Sequence, residues 1–124
     1  MSEESKKILI VDDDQGFTQM VQYWLGKRGL ESDLCDNGGT ACDMIAENDY
    51  GFILMDYFLP SLKGDEACQT IRENAAKRHL PIIIMTAFVD YPKAFFLDKG
   101  ATDVFYKPVS YDDLMDVVDR YIGK

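Results

Sequence analysis

The stretch ILIVDDD at residues 8–14 passes directly from four large apolar residues to three carboxylates. Three later apolar runs also end on a residue suited to phosphate or to a divalent cation: FILM before Asp56, IIIM before Thr86 and DVFY before Lys107. Short runs rich in Ile, Leu and Val are typical of strands that are buried on both faces of a parallel sheet. In such a sheet the carboxyl ends of all strands lie at one edge, where the ligands of open α/β folds bind. The sequence therefore predicts that carboxylates, a hydroxyl and an ammonium converge at that edge.

Helical patterns fill the intervals between these runs. Asp14 is expected to cap the first helix, in which apolar residues recur at helical spacing up to a stop at Gly29. Further helices are predicted from about Gly64 to Lys77, at residues 92–99, and from Ser110, where a capping-box pattern begins. The order of elements is (βα)5, which predicts an α/β fold built as a three-layer sandwich.

Length and composition narrow the class of protein. At 124 residues the chain suits one domain, and it has no apolar run of the ~18–20 residues that a membrane span needs. The N-terminal MSEESKK lacks the apolar stretch of a signal peptide, so we expect a cytoplasmic protein without membrane contact. The net charge of −9 argues against direct nucleic-acid binding, which depends on basic residues. The three cysteines include no CxxC pair, and we expect reduced thiols packed as small hydrophobic residues.

Five short motifs, taken in this order, resemble the receiver domain of two-component response regulators. They are Val11-Asp12-Asp13, Leu54-Met55-Asp56 followed by Pro60 and Gly64, Met85-Thr86-Ala87, Gly100-Ala101, and Lys107-Pro108. The resemblance covers essentially the whole chain, so it implies a single receiver domain over residues 1–124. It also implies the flavodoxin-like strand order 2-1-3-4-5, which a chemotaxis receiver exemplifies.

The resemblance implies a role for each residue at the strand ends. Asp56 would be the phosphoacceptor, since a carboxylate can attack phosphorus and form an acyl phosphate. Mg²⁺ would be the cofactor, because it binds few protein oxygens and also binds phosphate. Its ligands would be the carboxylates of Asp13 and Asp56, Asp12 through water, and the backbone carbonyl of Phe58. Thr86 would donate its hydroxyl to a phosphoryl oxygen, and Lys107 would supply positive charge.

These roles imply a signalling switch rather than an enzyme that turns over a separate substrate. A sensor histidine kinase or a histidine phosphotransfer protein would present phosphohistidine, and Asp56 would take the phosphoryl group. The chain could act alone, within a phosphorelay, or as part of a longer regulator. One alternative is a pseudo-receiver that keeps the fold without phosphorylation, although the set of site residues is intact. Another is a phosphohydrolase, although Phe58 stands where such enzymes typically carry a second Asp.

The chain departs from the family pattern at positions near the site. The aromatic residue expected three positions before Lys107 is Val104 here. Tyr106 points to the same face of the strand and is a candidate substitute, and readout through other packing is the alternative. Phe58 and Phe88 occupy the two positions that influence hydrolysis in the family, and apolar rings there would orient an attacking water poorly. We therefore predict a long-lived phosphoaspartate.

Residues 88–96 are rich in aromatic side chains: Phe88, Tyr91, Phe95 and Phe96. Core packing is not expected to absorb all four rings, so some of them are expected to form a partner surface. In the family, the face formed by residues 92–122 commonly meets a second copy or another protein. A homodimer or a downstream protein is therefore the expected occupant of this face.

Overall fold

Five parallel strands form the central sheet of the protein, whose residues 7–123 are described by a computed structural model. The strands are β1 (Ile8–Val11), β2 (Ser32–Cys35), β3 (Phe52–Asp56), β4 (Ile82–Thr86) and β5 (Asp103–Tyr106). The helices are α1 (Gln15–Lys27), α2 (Gly38–Glu47), α3 (Gly64–Glu73), α4 (Lys93–Asp98) and α5 (Tyr111–Tyr121), with a 3₁₀ turn at Ala75–Lys77. The strand order is β2-β1-β3-β4-β5, which confirms the predicted flavodoxin-like (βα)5 fold.

Side chains that alternate along each strand pack into two separate cores, one on either face of the sheet. Ile8 and Ile10 of β1 pack with buried residues of α1 and α5. Leu9 and Val11 point to the other face and pack with buried residues of α2, α3 and α4. The three layers that result confirm the predicted sandwich. Burial on both faces also explains the unbroken apolar runs of β1, β3 and β4, whereas in β5 only Val104 is fully buried.

The helix ends follow capping residues in the sequence. Asp14 caps α1, as predicted, because its Oδ1 accepts the N–H of Phe17 at 3.1 Å. The predicted capping box of α5 is also present. The prediction that α3 continues to Lys77 is wrong: the helix ends at Glu73, since Asn74 is extended and its side chain caps the 3₁₀ turn that follows. No helix within residues 7–123 is both long enough and apolar enough to cross a membrane.

The cysteines are packing residues with free thiols, as predicted: Cys35, Cys42 and Cys68. Cys68 is fully buried, and burial raises the pKa of its thiol to about 12. Such a thiol stays protonated at neutral pH and is a poor nucleophile or metal ligand. The chemistry of the chain is therefore concentrated at the carboxyl edge of the sheet.

Candidate functional site

Three carboxylates meet at the carboxyl edge of the sheet. Asp12 and Asp13 follow β1 directly, and Asp56 is the last residue of the neighbouring strand β3. One carboxylate oxygen from each residue lies within 4.8 Å of the others. Asp12 is buried, Asp56 is partly buried, and Asp13 is exposed. The parallel register of β1 and β3 thus brings the predicted carboxylate ligands close enough together to share one cation.

The ammonium of Lys107 lies beside two of these carboxylates. Lys107 follows β5, its backbone N–H donates to the carbonyl of Thr86 at 2.8 Å, and its bond to Pro108 is cis. The Nζ atom lies 2.6 Å from Oδ2 of Asp12 and 3.7 Å from Oδ1 of Asp56. The cluster thus holds three carboxylates and one ammonium, which pairs with two of them, and it keeps an excess of acidic groups.

The electrostatics of the cluster appear most clearly at Asp56, whose pKa is raised to about 6. Burial is the main cause, and the charge on Asp12 adds to it. The Lys107 ammonium and the N–H of Tyr57, which donates to Oδ1 of Asp56 at 2.9 Å, act in the opposite direction. A divalent cation would relieve the repulsion that remains, and three carboxylate oxygens are a donor set that suits Mg²⁺. The residues at this edge therefore fit the metal that the sequence predicts.

Thr86 connects the sheet edge to the loop that precedes α4. It ends β4, the strand next to β3, and is fully buried. Its Oγ1 accepts the N–H of Phe88 at 2.9 Å. Because a hydroxyl is both donor and acceptor, its proton stays available for an oxygen atom at the sheet edge. Any movement of this hydroxyl would therefore alter its hydrogen bond to the backbone of the loop.

A group of touching aromatic rings adjoins the acceptor. The rings of Phe58 and Phe88 meet edge to face with centroids 5.4 Å apart, and Phe58 is 51% exposed, so the pair borders open solvent. Further contacts complete what we term the ring cluster: Tyr57, Phe58, Phe88, Tyr91, Phe95 and Phe96. Phe96 is fully buried in the core, whereas Phe95 is only partly buried. The core thus fully buries one of the four rings that the sequence singled out in residues 88–96, and Tyr91 and Phe95 pack against it while partly buried.

The two unusual residues of β5 have different surroundings. Val104 is fully buried in the core on the α4 side of the sheet. Tyr106 packs against the same core, and its hydroxyl donates to the carbonyl of Tyr91 at 2.8 Å. Tyr106 therefore shares the face of Val104, as predicted, and it ties β5 to the loop between β4 and α4.

One neighbour of Lys107, the ring of Phe17, was not predicted from the sequence. Its centroid lies 4.3 Å from Nζ of Lys107. The helical spacing of α1 predicted only that Phe17 packs in the core, which it also does in part. The available signal was its place in the first turn after the Asp12–Asp14 acids, which faces the sheet edge.

Comparisons with known proteins agree with this geometry. Residues 8–119 match the family model described as the response regulator receiver domain. The response regulator ArlR of Staphylococcus saprophyticus is 36% identical over 110 residues, which make up 88% of this chain and 49% of that protein. The chain thus spans about half the length of the curated relatives it matches.

Solved structures of receiver domains share the fold. One is the receiver domain of a sensor histidine kinase from Pseudomonas aeruginosa, solved with a magnesium ion coordinated in its active-site cleft. It has a TM-score of 0.87 and 30% identity, with 97% of this chain and 99% of that chain covered. A chemotaxis response regulator of Vibrio cholerae has a TM-score of 0.86 and 25% identity, with coverage of 94% and 98%. The chain belongs to the response regulator receiver domain family, and the family match takes in all five strands and the three carboxylates at their edge.

Proposed function

We propose that the protein is a phosphoacceptor switch of a two-component phosphorelay, with Asp56 as the acceptor. The observation that carries this proposal is the partly buried Asp56 carboxylate, set between two further acids and the Lys107 ammonium. The donor would be the phosphohistidine of a histidine kinase or of a phosphotransfer protein. An Asp56 oxygen would attack phosphorus as the P–N bond breaks, and the bond electrons would pass to the imidazole, which then takes a proton.

Mg²⁺ is the proposed cofactor of this transfer. The carboxylates of Asp12, Asp13 and Asp56 and the backbone carbonyl of Phe58 would hold it, with Asp12 acting through water. When bound, the ion would supply positive charge for the phosphoryl oxygens. The magnesium ion coordinated in the cleft of the Pseudomonas aeruginosa receiver domain supports this assignment.

Lys107 and Thr86 are proposed to bind the phosphoryl group on Asp56. The ammonium is 3.7 Å from an Asp56 oxygen, so a phosphoryl oxygen on that residue would come within its reach. The Thr86 hydroxyl would donate to a second phosphoryl oxygen. Both groups act by position and charge, which is how most phosphoryl transfer is catalysed.

The readout is proposed to run through the loop between β4 and α4. Thr86 holds this loop at the N–H of Phe88, and Tyr106 holds it at the carbonyl of Tyr91. A phosphoryl group that draws the Thr86 hydroxyl toward itself would favour one arrangement of the loop over another. A switch requires such a difference in stability between two conformations, since a change that favours neither conformation does not shift the equilibrium between them. Receiver domains are typically signalling proteins without turnover, and the same is proposed here for one domain over residues 1–124.

The decisive experiment is phosphoryl uptake from acetyl phosphate, followed by intact mass. We expect the mass of one phosphoryl group to be gained only when Mg²⁺ is present and Asp56 is intact. Asp56→Asn should abolish the gain, and Asp43→Asn, which alters an exposed acid on α2, should leave it unchanged. No gain in the wild-type chain would favour the pseudo-receiver. Steady release of phosphate with many turnovers would favour the phosphohydrolase.

A further inference from the structure

Among the described residues, the Lys107 ammonium has three neighbouring groups, and two of them are acids. Oδ2 of Asp12 lies 2.6 Å from Nζ, Oδ1 of Asp56 lies 3.7 Å away, and the Phe17 ring centroid lies 4.3 Å away. The Lys107 side chain is only 20% exposed, so these three groups replace most of its water. We infer that Phe17 is a positioning residue for Lys107 in phosphoryl uptake, an inference that rests on the proposed function of the site.

An aromatic ring holds a cation in a way that a carboxylate cannot. The negative face of the ring attracts the ammonium at this distance, but the ring carries no formal charge. A third carboxylate would neutralise the ammonium further and compete with the phosphoryl oxygens for it. A wholly aliphatic neighbour would leave the flexible four-carbon stem of lysine free to turn toward solvent. The Phe17 ring restrains Lys107 and leaves its charge for the phosphoryl group.

The start of α1 fixes both the ring and the acid that hold Lys107. Oδ1 of Asp12 accepts the N–H of Asp14 at 3.0 Å, which leaves Oδ2 of the same carboxylate for Lys107. Oδ1 of Asp14 in turn accepts the N–H of Phe17 at 3.1 Å. One capped turn therefore orients Asp12 and Phe17 together, and the ammonium lies between the Asp12 carboxylate and the Phe17 ring.

The size of the effect follows from the strength of such contacts. A largely desolvated cation–π contact changes an equilibrium or a rate by about tenfold. We expect Phe17→Leu, which keeps an apolar side chain of similar size, to slow phosphoryl uptake from acetyl phosphate by about tenfold. Phe17→Tyr keeps the ring and should restore most of the rate.

A series of fluorinated phenylalanines at position 17 separates this role from packing. Fluorine withdraws electron density from the ring face and changes its volume little, so the rate of uptake should fall stepwise as fluorine atoms are added. The matched control is Tyr23→Leu, since the Tyr23 ring is 66% exposed on the same helix and lies 5.7 Å from Nζ of Lys27. This variant also removes a ring beside a lysine, and it should leave uptake unchanged.

A second readout uses the metal-free protein and needs no phosphodonor. The ε-methylene protons of Lys107 lie near the ring face, so their NMR signal should be shifted upfield in the wild-type chain and return to its ordinary position in Phe17→Leu. A flat fluorine series, a full rate in Phe17→Leu, an equal loss in Tyr23→Leu, or an unshifted methylene signal would each overturn the inference. A wild-type chain that takes up no phosphoryl group would instead overturn the proposed function, whatever the NMR signal shows.

Discussion

Asp56 carries a charge that the metal-free fold disfavours. Its pKa is about 6 in the folded chain, above the ordinary value of 3.8. Between these two values the folded state binds more protons than the unfolded state, so the free energy of unfolding falls as the pH rises from 4 to 6 and the loss is complete above 6. In a chelator at pH 7.5, Asp56→Asn should therefore raise the free energy of unfolding by about 1–3 kcal/mol.

Urea denaturation at two pH values tests this prediction. The gain from Asp56→Asn should shrink toward zero near pH 4, where the wild-type carboxyl is mostly protonated in the folded state and partly so in the unfolded state. An exposed acid on α2 serves as control, and Asp43→Asn should change the free energy of unfolding by less than about 0.5 kcal/mol at both values. An equal gain from Asp56→Asn at both pH values would contradict the assigned pKa.

Because Phe58 and Phe88 lie beside the acceptor, we predict that a phosphoryl group on Asp56 is lost slowly. The touching rings offer no hydrogen-bond partner to a water that approaches Asp56 from their side. Phe58→Asn would place an amide there to orient water, and we expect first-order loss of the phosphoryl group to accelerate about tenfold. Val89→Asn alters a side chain that is 69% exposed next to Phe88 and should leave the rate unchanged. Decay followed by intact mass at equal rates in wild type and Phe58→Asn would sink the prediction.

Single residues differ in how far the sequence reveals their role. Asp56, Thr86 and Lys107 could be placed together because each ends a strand, and parallel strands end at one edge. The contact between Phe17 and Lys107 could not be predicted in this way. It depends on the cap that starts α1 and on the direction of two long side chains, which periodicity does not encode.

Among the elements, the junction of α2 with the loop after β3 has the least room. A Cβ atom on Gly38 would clash with the backbone oxygen of Leu62, and the Gly38 N–H donates to the carbonyl of Pro60 at 3.0 Å. Gly38→Ala should therefore displace the loop and lower the free energy of unfolding by about 2 kcal/mol or more.

The matched control for Gly38→Ala lies inside α1. A Cβ on Gly26 would meet nothing within 4 Å, and alanine is the better helix former. Gly26→Ala should raise the free energy of unfolding by about 0.5–1 kcal/mol in the same urea titration. The two variants should change the free energy of unfolding in opposite directions. If Gly38→Ala leaves it unchanged, the junction can accommodate a Cβ atom at little cost.

The loop between β4 and α4 is held in part by a hydrogen bond from a side chain of β5. The Tyr106 hydroxyl donates to the Tyr91 carbonyl, and Tyr106→Phe removes that bond while keeping the ring. Hydrogen exchange of the amides in residues 87–91 should then become about fivefold faster, which corresponds to the loss of one hydrogen bond. Tyr111→Phe, whose ring packs on Trp24 in α1, is the control and should leave the loop unchanged. Equal exchange in wild type and Tyr106→Phe would exclude Tyr106 as a tether.

Helix boundaries show where local sequence stops being a sufficient guide. The capped starts of α1 and α5 could be predicted because the capping residues stand beside the helices they begin. The end of α3 could not, since its apolar spacing runs on through the 3₁₀ turn. The change from helix to turn depends on Asn74, whose side chain accepts the N–H of Ala76 at 3.0 Å.

At the scale of the whole molecule, the site and the proposed partner face adjoin each other. Lys107 directly follows β5, which packs beside α4, and the ring cluster runs from Phe58 near the acceptor to Phe95 on α4. A charge added at Asp56 therefore has two physical routes to α4, through the Thr86 hydroxyl and through packed rings. The routes end on the part of the chain that the family resemblance proposes for partners.

If a partner covers that face, we expect the contact to depend on the exposed apolar residues of the face rather than on the buried ring of Phe96. Leu97 is 42% exposed on α4, and Lys93 of the same helix pairs with Asp103, which also pairs with Arg120. If a second copy covers this face after phosphorylation, burial of Leu97 contributes to the contact, and Leu97→Asp should weaken dimer formation at least tenfold.

Sedimentation velocity of the phosphorylated chain measures this association directly. Met20→Asp is the matched control, because Met20 is 38% exposed on α1 against the opposite face of the sheet. It should leave the dimer intact, and both variants should keep the wild-type rate of phosphoryl uptake because neither touches the site. A phosphorylated chain that stays monomeric at high concentration would rule out the second copy as occupant. Equal weakening by Met20→Asp would place the contact elsewhere, since only a residue within the interface should respond to an added charge.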